Sequence, residues 1–494
     1  MRSIGGHKIE PSPLHVRWEP VRISLLALAV GWLIRKTAQL LWVIARSPVA
    51  MTAITIAVAA GHLWSISPWA DIAIAVAVAA GLFVLRRRRP VLFNRWVVVR
   101  LRSGWRRFWV YRHRWPASMD TAGLNVTRAG TQHLPVLGKV SSSGQVDRVR
   151  VRMLPGQTMD DWAKVADRLC QTFGALDCRV RTVPKRVHEL ELWFLVVDPL
   201  AETVPPVPAV APVRWDALPV GLREDGQPYR LQLRNTHVLC VGATGAGKGS
   251  VLWSIITQLV PGVCDGTVRL WALDPKGGME LAAGEAVFDR FVHGDTDTGK
   301  GFEEHFAQVL EDAVIVMRRR QTALRGITRL LEPTAADPLI VVLVDELAAL
   351  TGYIGDRDLK RRIGNALSLL LSQGRAVGVC VVAAVQDPRK ETIPARDLFP
   401  TRIALRLNEA EQVHLVLGPG ARDKGARCDQ IPESLPGVGY VQVDGIGEPV
   451  RVRFAHVTDD HIRASIHASP LFAALGDGTG SEPATLDHEG RAAA

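Results

Sequence analysis

"VLCVGATGAGKGS", residues 238–250, joins a short apolar run to a glycine-rich loop, and "KGSVLWSIITQLV" after it has helical spacing. Strand, glycine loop, helix is the setting in which the pattern G-x-x-x-x-G-K-[ST] binds phosphate. Backbone N–H groups of the loop and the positive end of the helix face the anion, and the lysine reaches its outer phosphates. Gly242, Ala243, Thr244, Gly245, Ala246, Gly247 and Lys248 fill the pattern. The next position calls for a hydroxyl that ligates magnesium, but it holds Gly249, and a hydroxyl arrives one place late at Ser250. Ser250 is therefore the candidate hydroxyl ligand, with water as the alternative.

A second run, "PLIVVLVDELAAL" at 338–350, is apolar until it ends in two acids. A parallel strand buried on both faces reads this way. Asp345 at its carboxyl end can hold a magnesium ion, and Glu346 can orient and deprotonate an attacking water. Further strands are expected at 268–274, 377–386 and 402–407, with helical segments between them. That alternation predicts an α/β fold with a parallel sheet wound on both faces. Gln386 then lies at a carboxyl strand end, where such sheets bind ligands, and is a candidate γ-phosphate sensor.

The chain has 494 residues and a formal net charge of +11, a balance that suits a polyanionic partner. Its six scattered cysteines form neither a C-x-x-C pair nor a zinc pattern, which excludes disulfide and zinc frameworks. Residues 48–65 and 69–85 are apolar and nearly uncharged, close to the span of about 20 residues a bilayer requires. A short linker between them predicts a helical hairpin within a membrane anchor over 1–90. Arginine and lysine at 35, 36, 46 and 86–89 place both ends in the cytoplasm. The expected location is the cell membrane, multi-pass, with the carboxyl-terminal bulk cytoplasmic. Residues 86–115 hold eleven arginines, interleaved aromatics and no acid. Within a basic segment at 91–135, that composition suits anionic lipid, DNA or a solvated face, and its place beside the hairpin favours membrane lipid.

Residues 136–200 read as a small α/β domain. "DRVRVRML" alternates as a strand, "TMDDWAKVADRLCQTFG" is a helix capped by Thr158, and "LELWFLVV" is another strand. A proline-rich linker follows over 201–214, then the main α/β domain over 215–455, then a helical and unstructured tail over 456–494.

"GATGAGKGS", "DPKGGMEL", "VMRRR", "VVLVDELAAL", "GRAVGV" and "AAVQDP" stand in this order, and with "VLGPGARDKG" and "LPGVGYVQV" behind them the stretch from 215 to 455 resembles the FtsK/SpoIIIE DNA-translocating ATPases. Around "GKGS" it is similar to the conjugative-transfer (Tra) proteins of actinomycete plasmids and integrative elements. The resemblance implies a RecA-like P-loop ATPase using ATP and Mg2+, working as a homo-hexamer that pumps double-stranded DNA. It implies Lys248 as phosphate lysine, Asp345 and Glu346 as the metal and water pair, and Gln386 as sensor. A neighbouring subunit's arginine is expected to complete each site, with Arg375 and Arg402 as candidates. The glycine-rich, basic 418–427 is a candidate DNA-facing loop. Too little chain follows 455 for the winged helix that many such proteins carry, so loading would fall to another segment or to a separate DNA-recognition or envelope partner. Rival expectations are a chromosome-partitioning pump at the division septum, a type VII protein-secretion ATPase and a non-catalytic membrane scaffold.

Overall fold

Five apolar runs rich in Val, Leu and Ala supply the centre of the molecule. The computed structural model describes residues 68–128, 130–294, 302–389, 393 and 395–467. The first expected membrane stretch, 48–65, lies outside them. The second falls in helix α1 (Pro68–Arg88), whose last turn carries Arg86, Arg87 and Arg88. Among the described residues no helix is long and apolar enough to cross a membrane.

From Val98 onward the chain forms one unit. It begins with helix α2 (Val99–Trp105), a π-helical turn over Arg106–Arg112 and helix α3 (His113–Thr121). A small hairpin, β1 (Val126–Arg128) and β2 (Thr131–His133), follows. Strands β3 (Val136–Ser142), β4 (Val146–Arg152), β5 (Asp177–Thr182) and β6 (Glu189–Leu195) make an antiparallel sheet in the order β3-β4-β6-β5.

The helix expected over 158–174 is two helices, α4 (Met159–Lys164) and α5 (Ala166–Phe173), because Val165 leaves helical dihedrals at φ −107° and ψ 4°. Thr158 caps the first as expected, with the Asp161 carboxylate accepting from its backbone N–H at 2.8 Å. Gly174 closes the second in the left-handed region.

The basic segment reaches into this small domain. Tyr111, Trp115 and Met119 are buried in its core beside Trp162, Phe173 and Phe194. Tyr111 donates to the buried Asp147 carboxylate at 2.8 Å, and Arg106 pairs with the same group. A solvated or lipid-bound face therefore describes only part of 86–115. Trp105, Phe108 and Trp109 are exposed, while Tyr111 and Trp115 are core residues.

The large sheet has ten strands: β7 (Leu218–Arg223), β8 (Pro228–Leu231), β9 (Val238–Val241), β10 (Val268–Asp274), β11 (Arg290–His293), β12 (Leu339–Val344), β13 (Val379–Val385), β14 (Thr401–Ala404), β15 (Val438–Val443) and β16 (Val450–Phe454). Their order is β11-β10-β12-β13-β9-β14-β15-β16-β7-β8. The first six are parallel, and the remaining pairings are antiparallel. The expected parallel sheet is thus a mixed one whose parallel part carries the loop.

Every residue of β9, β12 and β13 is buried. One face packs on helices α7 (Phe302–Leu324) and α9 (Arg357–Gln373), the other on α6 (Lys248–Cys264) and the carboxyl-terminal α11 (Asp459–His467). Two short helices complete the large domain, α8 (Leu347–Thr351) and α10 (Ala410–Leu417). The strand expected at 377–386 starts at Val379, after a 3-10 turn over Arg375–Val377. The tail expected beyond 467 lies outside the described residues.

Candidate nucleotide site

Three neighbouring parallel strands deliver the site. The loop leaves the end of β9, Gln386 follows β13, and Asp345 and Glu346 follow β12. Parallel pairing in register puts all three ends at one edge of the sheet, the usual place for ligands in such folds.

The loop is anchored on both sides. Gly242 N–H donates to the Val385 carbonyl at 3.2 Å, and Ala243 N–H to the Arg406 carbonyl at 2.9 Å. Gly245 and Gly247 take φ of 72° and 96°, values that exclude most side chains. Gly247 also meets a backbone. A Cβ there would lie 3.0 Å from the Cα of Gly437, whose N–H donates to Ala246 at 2.9 Å. The segment "LPGVGY" thus braces the phosphate loop through glycine on glycine.

Lys248 opens α6 and its ammonium donates to the carbonyls of Gly242 at 2.8 Å and Ala243 at 3.3 Å. Burial pulls its pKa below the usual lysine value. Gln386 accepts from Thr244 Oγ1 at 3.1 Å, and its backbone N–H donates to Glu346 Oε1 at 3.3 Å. The candidate sensor therefore touches both the loop and the acid.

Lys276, in "DPKGGMEL", is a residue the sequence reading left without a role. Its ammonium donates to Asp345 Oδ2 at 2.8 Å and lies 3.5 Å from Glu346 Oε2. Burial lowers its pKa, but the bond and attraction to Asp345 and Glu346 outweigh that and hold it above the usual value. The loop bearing it is fixed by buried Asp274, whose carboxylate accepts from the N–H groups of Lys276, Glu280 and Leu281 at 3.0 Å each. Arg406 is a second unassigned cation, donating to the Thr244 carbonyl at 2.8 Å. A basic residue at a strand end beside the loop was the available signal.

The donors suit Mg2+. Asp345 and Glu346 are hard oxygen ligands that already gather one cation, the Lys276 ammonium. Among the described residues no three His, Cys, Asp or Glu side chains converge to hold an ion alone. Magnesium in phosphoryl-transfer sites needs no such cage, since one or two carboxylates share it with the phosphates.

Other expected residues stand elsewhere. Arg375 precedes β13 and so lies about 23 Å, one strand length, from Gln386. Arg402 in β14 pairs with Asp444 at 2.8 Å. Neither joins the site of its own chain. In the candidate DNA loop, Arg422 pairs with Asp429 at 3.0 Å and Arg427 with Asp167 of the small domain at 3.3 Å. That loop is a docking element between domains as much as an open basic one.

The small domain is held by a polar seam. Arg179 of β5 pairs with the buried Glu224 at 2.8 Å and lies over the ring of Tyr440, while Arg181 reaches Glu448 at 3.0 Å. Burial works against the charge on Arg179, but the pull of Glu224, Tyr440 and Asp177 holds its pKa above the usual arginine value.

The chain is similar to several known proteins. Residues 208–330 match the FtsK/SpoIIIE family model. Transfer protein TraSA of Streptomyces ambofaciens is 29% identical over 326 residues, 63% of this chain and 76% of that protein. DNA translocase FtsK of Staphylococcus epidermidis is 28% identical over 269 residues, 50% of this chain but 31% of that much longer protein. Among solved structures, the conjugation coupling protein TcpA of pCW3, with ATPγS, aligns at 18% identity and a TM-score of 0.45, covering 70% of this chain and 95% of that one. The cytoplasmic domain of the type VII secretion ATPase EccC of Thermomonospora curvata aligns at 23% identity and a TM-score of 0.42, covering 56% and 34%. The phosphate loop, the acid pair and Gln386 thus meet at one sheet edge in a chain that is similar to FtsK/SpoIIIE-family proteins, its residues 208–330 matching that family's model.

Proposed function

We propose that the chain is an ATP-driven translocase of double-stranded DNA that serves conjugative transfer. The observation carrying this reading is the convergence of Lys248, Asp345, Glu346 and Gln386 at one edge of the sheet, with Lys248 inside the stretch 208–330 that matches the FtsK/SpoIIIE family model. Similarity to a transfer protein over three quarters of that protein's length supports the conjugative role.

In this reading the N–H groups of residues 243–248 and the start of α6 hold the phosphates. Lys248 moves from the loop carbonyls to the outer phosphates. Mg2+, when bound, offsets the negative charge of the phosphate oxygens. Asp345 holds it directly or through water. Glu346 accepts the proton of the attacking water, and Gln386 places that water or reads the γ-phosphate. Lys276 keeps the two acids from repelling each other. Arg375 acts from a neighbouring copy in a homo-hexameric ring, because it lies far from its own loop.

The +11 charge favours a nucleic-acid track. The apolar composition of residues 48–85 attaches the chain to the cell membrane, with the ATPase region in the cytoplasm. The uncharged run at 73–85, ending in four arginines, and the exposed Trp105, Phe108 and Trp109 support that placement.

The test is ATP hydrolysis by the full chain with no DNA, linear duplex or single strands. Duplex should stimulate wild type strongly and leave Lys248→Ala silent. Hydrolysis indifferent to duplex would reject DNA as the substrate and point to protein secretion. Absent hydrolysis would leave a scaffold.

A further inference from the structure

The missing hydroxyl of the phosphate loop has a structural counterpart. The side-chain space at position 249 is occupied. A Cβ built on Gly249 falls onto the Glu280 carboxyl group, 2.9 Å from its Cδ, 3.3 Å from Oε2 and closer still to Oε1. No other residue type fits there while Glu280 keeps its place. The Glu280 carboxylate thus occupies the space beside α6 into which a serine or threonine side chain at 249 would project.

The backbone of Glu280 is anchored from two elements. Its N–H donates to Asp274 Oδ2 at 3.0 Å, tying it to the end of β10. Its carbonyl accepts from Trp253 Nε1 of α6 at 3.1 Å, tying it to the very helix it faces. Gly277 and Gly278, at φ of 74° and 80°, turn the loop back toward that helix. The charges around the carboxylate are Asp345, Lys276, Asp274 and Lys248, which are those of the nucleotide site. Ser250 is one residue further along α6, about 100° round the helix from the direction of 249.

We propose that Glu280 replaces the phosphate-loop hydroxyl as the protein oxygen that meets nucleotide-bound Mg2+. The proposal rests on the ATPase reading above and assigns the ligand that Ser250 was expected to supply. A carboxylate differs from a hydroxyl in a testable way. Without a cation it repels the phosphates; with one between them it is a hard, charged ligand. Glu280 thus makes nucleotide binding depend more steeply on Mg2+.

The experiment titrates MgCl2 into the full chain in detergent with a fluorescent N-methylanthraniloyl ATPγS, and reads Mn2+ occupancy by electron paramagnetic resonance. Glu280→Gln should raise the half-saturating Mg2+ at least about tenfold, while nucleotide binding in EDTA stays equal or tightens. Ser250→Ala should change neither. Gly249→Ser combined with Glu280→Ala restores a hydroxyl in cleared space and should recover most of the Mg2+ affinity, whereas Gly249→Ser alone should not. An unchanged half-saturation in Glu280→Gln, or equal weakening with and without Mg2+, would overturn the proposal in favour of a packing role. If wild type binds no labelled nucleotide, as Lys248→Ala should not, the ATPase reading falls as well. Binding with a Glu280-independent Mg2+ requirement removes this inference alone.

Discussion

At the scale of single residues, two glycines decide the site for different reasons. Gly247 combines a positive φ with a neighbouring backbone, so any side chain there must displace Gly437 or the loop. Gly247→Ala should cost about 1–3 kcal/mol from strain alone and abolish labelled-nucleotide binding. Thermal melts and a fluorescence titration of the variant check both, and wild-type binding would contradict the role given to this contact. The sequence named Lys248, Asp345, Glu346 and Gln386 because their types and spacing carry phosphate chemistry directly. It left Lys276, Glu280 and Arg406 unassigned. Lys276 sits 69 residues before Asp345, and Arg406 sits 162 after Thr244. Only the sheet order brings these pairs together, and no local period encodes that order. Gly249 looked like an isolated departure until the fold put Glu280 against it.

At the scale of elements, strands were more legible than their pairing. The runs at 268–274 and 238–241 were found because buried parallel strands are continuously apolar. In the antiparallel half, β7 and β8 were not, because they are short and rich in Gly, Pro and Arg. The single helix expected over 158–174 broke at β-branched Val165, where only local geometry marks the change. The least visible element is the seam between the small domain and the large one, built from Arg179 and Arg181, to which the sequence reading gave no role. Glu224→Ala leaves Arg179 buried with less compensation and should cost on the order of 3 kcal/mol. Faster proteolysis within 201–214 and a lowered melting temperature are the expected signs. An unchanged protease pattern would mean that the seam does not hold the domains together.

For the whole molecule, the important boundary lies inside the basic segment. Tyr111 and Trp115 belong to the small domain's core, and Asp147 is buried against Tyr111 and Arg106. Arginine-rich composition concealed this, since the two aromatics read as interfacial. A fragment starting at residue 98 should therefore fold, and one starting at 116 should be destabilised by several kcal/mol, about 1.5–3 for each lost aromatic. Denaturant midpoints of the two fragments decide this, and equal midpoints would place the segment outside the domain. A folded motor is still only a means of moving something. The most direct measurement is displacement of a triplex-forming oligonucleotide from linear duplex DNA by the full chain with ATP and Mg2+. Expected is ATP-dependent stripping that Lys248→Ala and Glu346→Gln abolish. A chain that hydrolyses ATP yet leaves the triplex in place would contradict translocation along DNA.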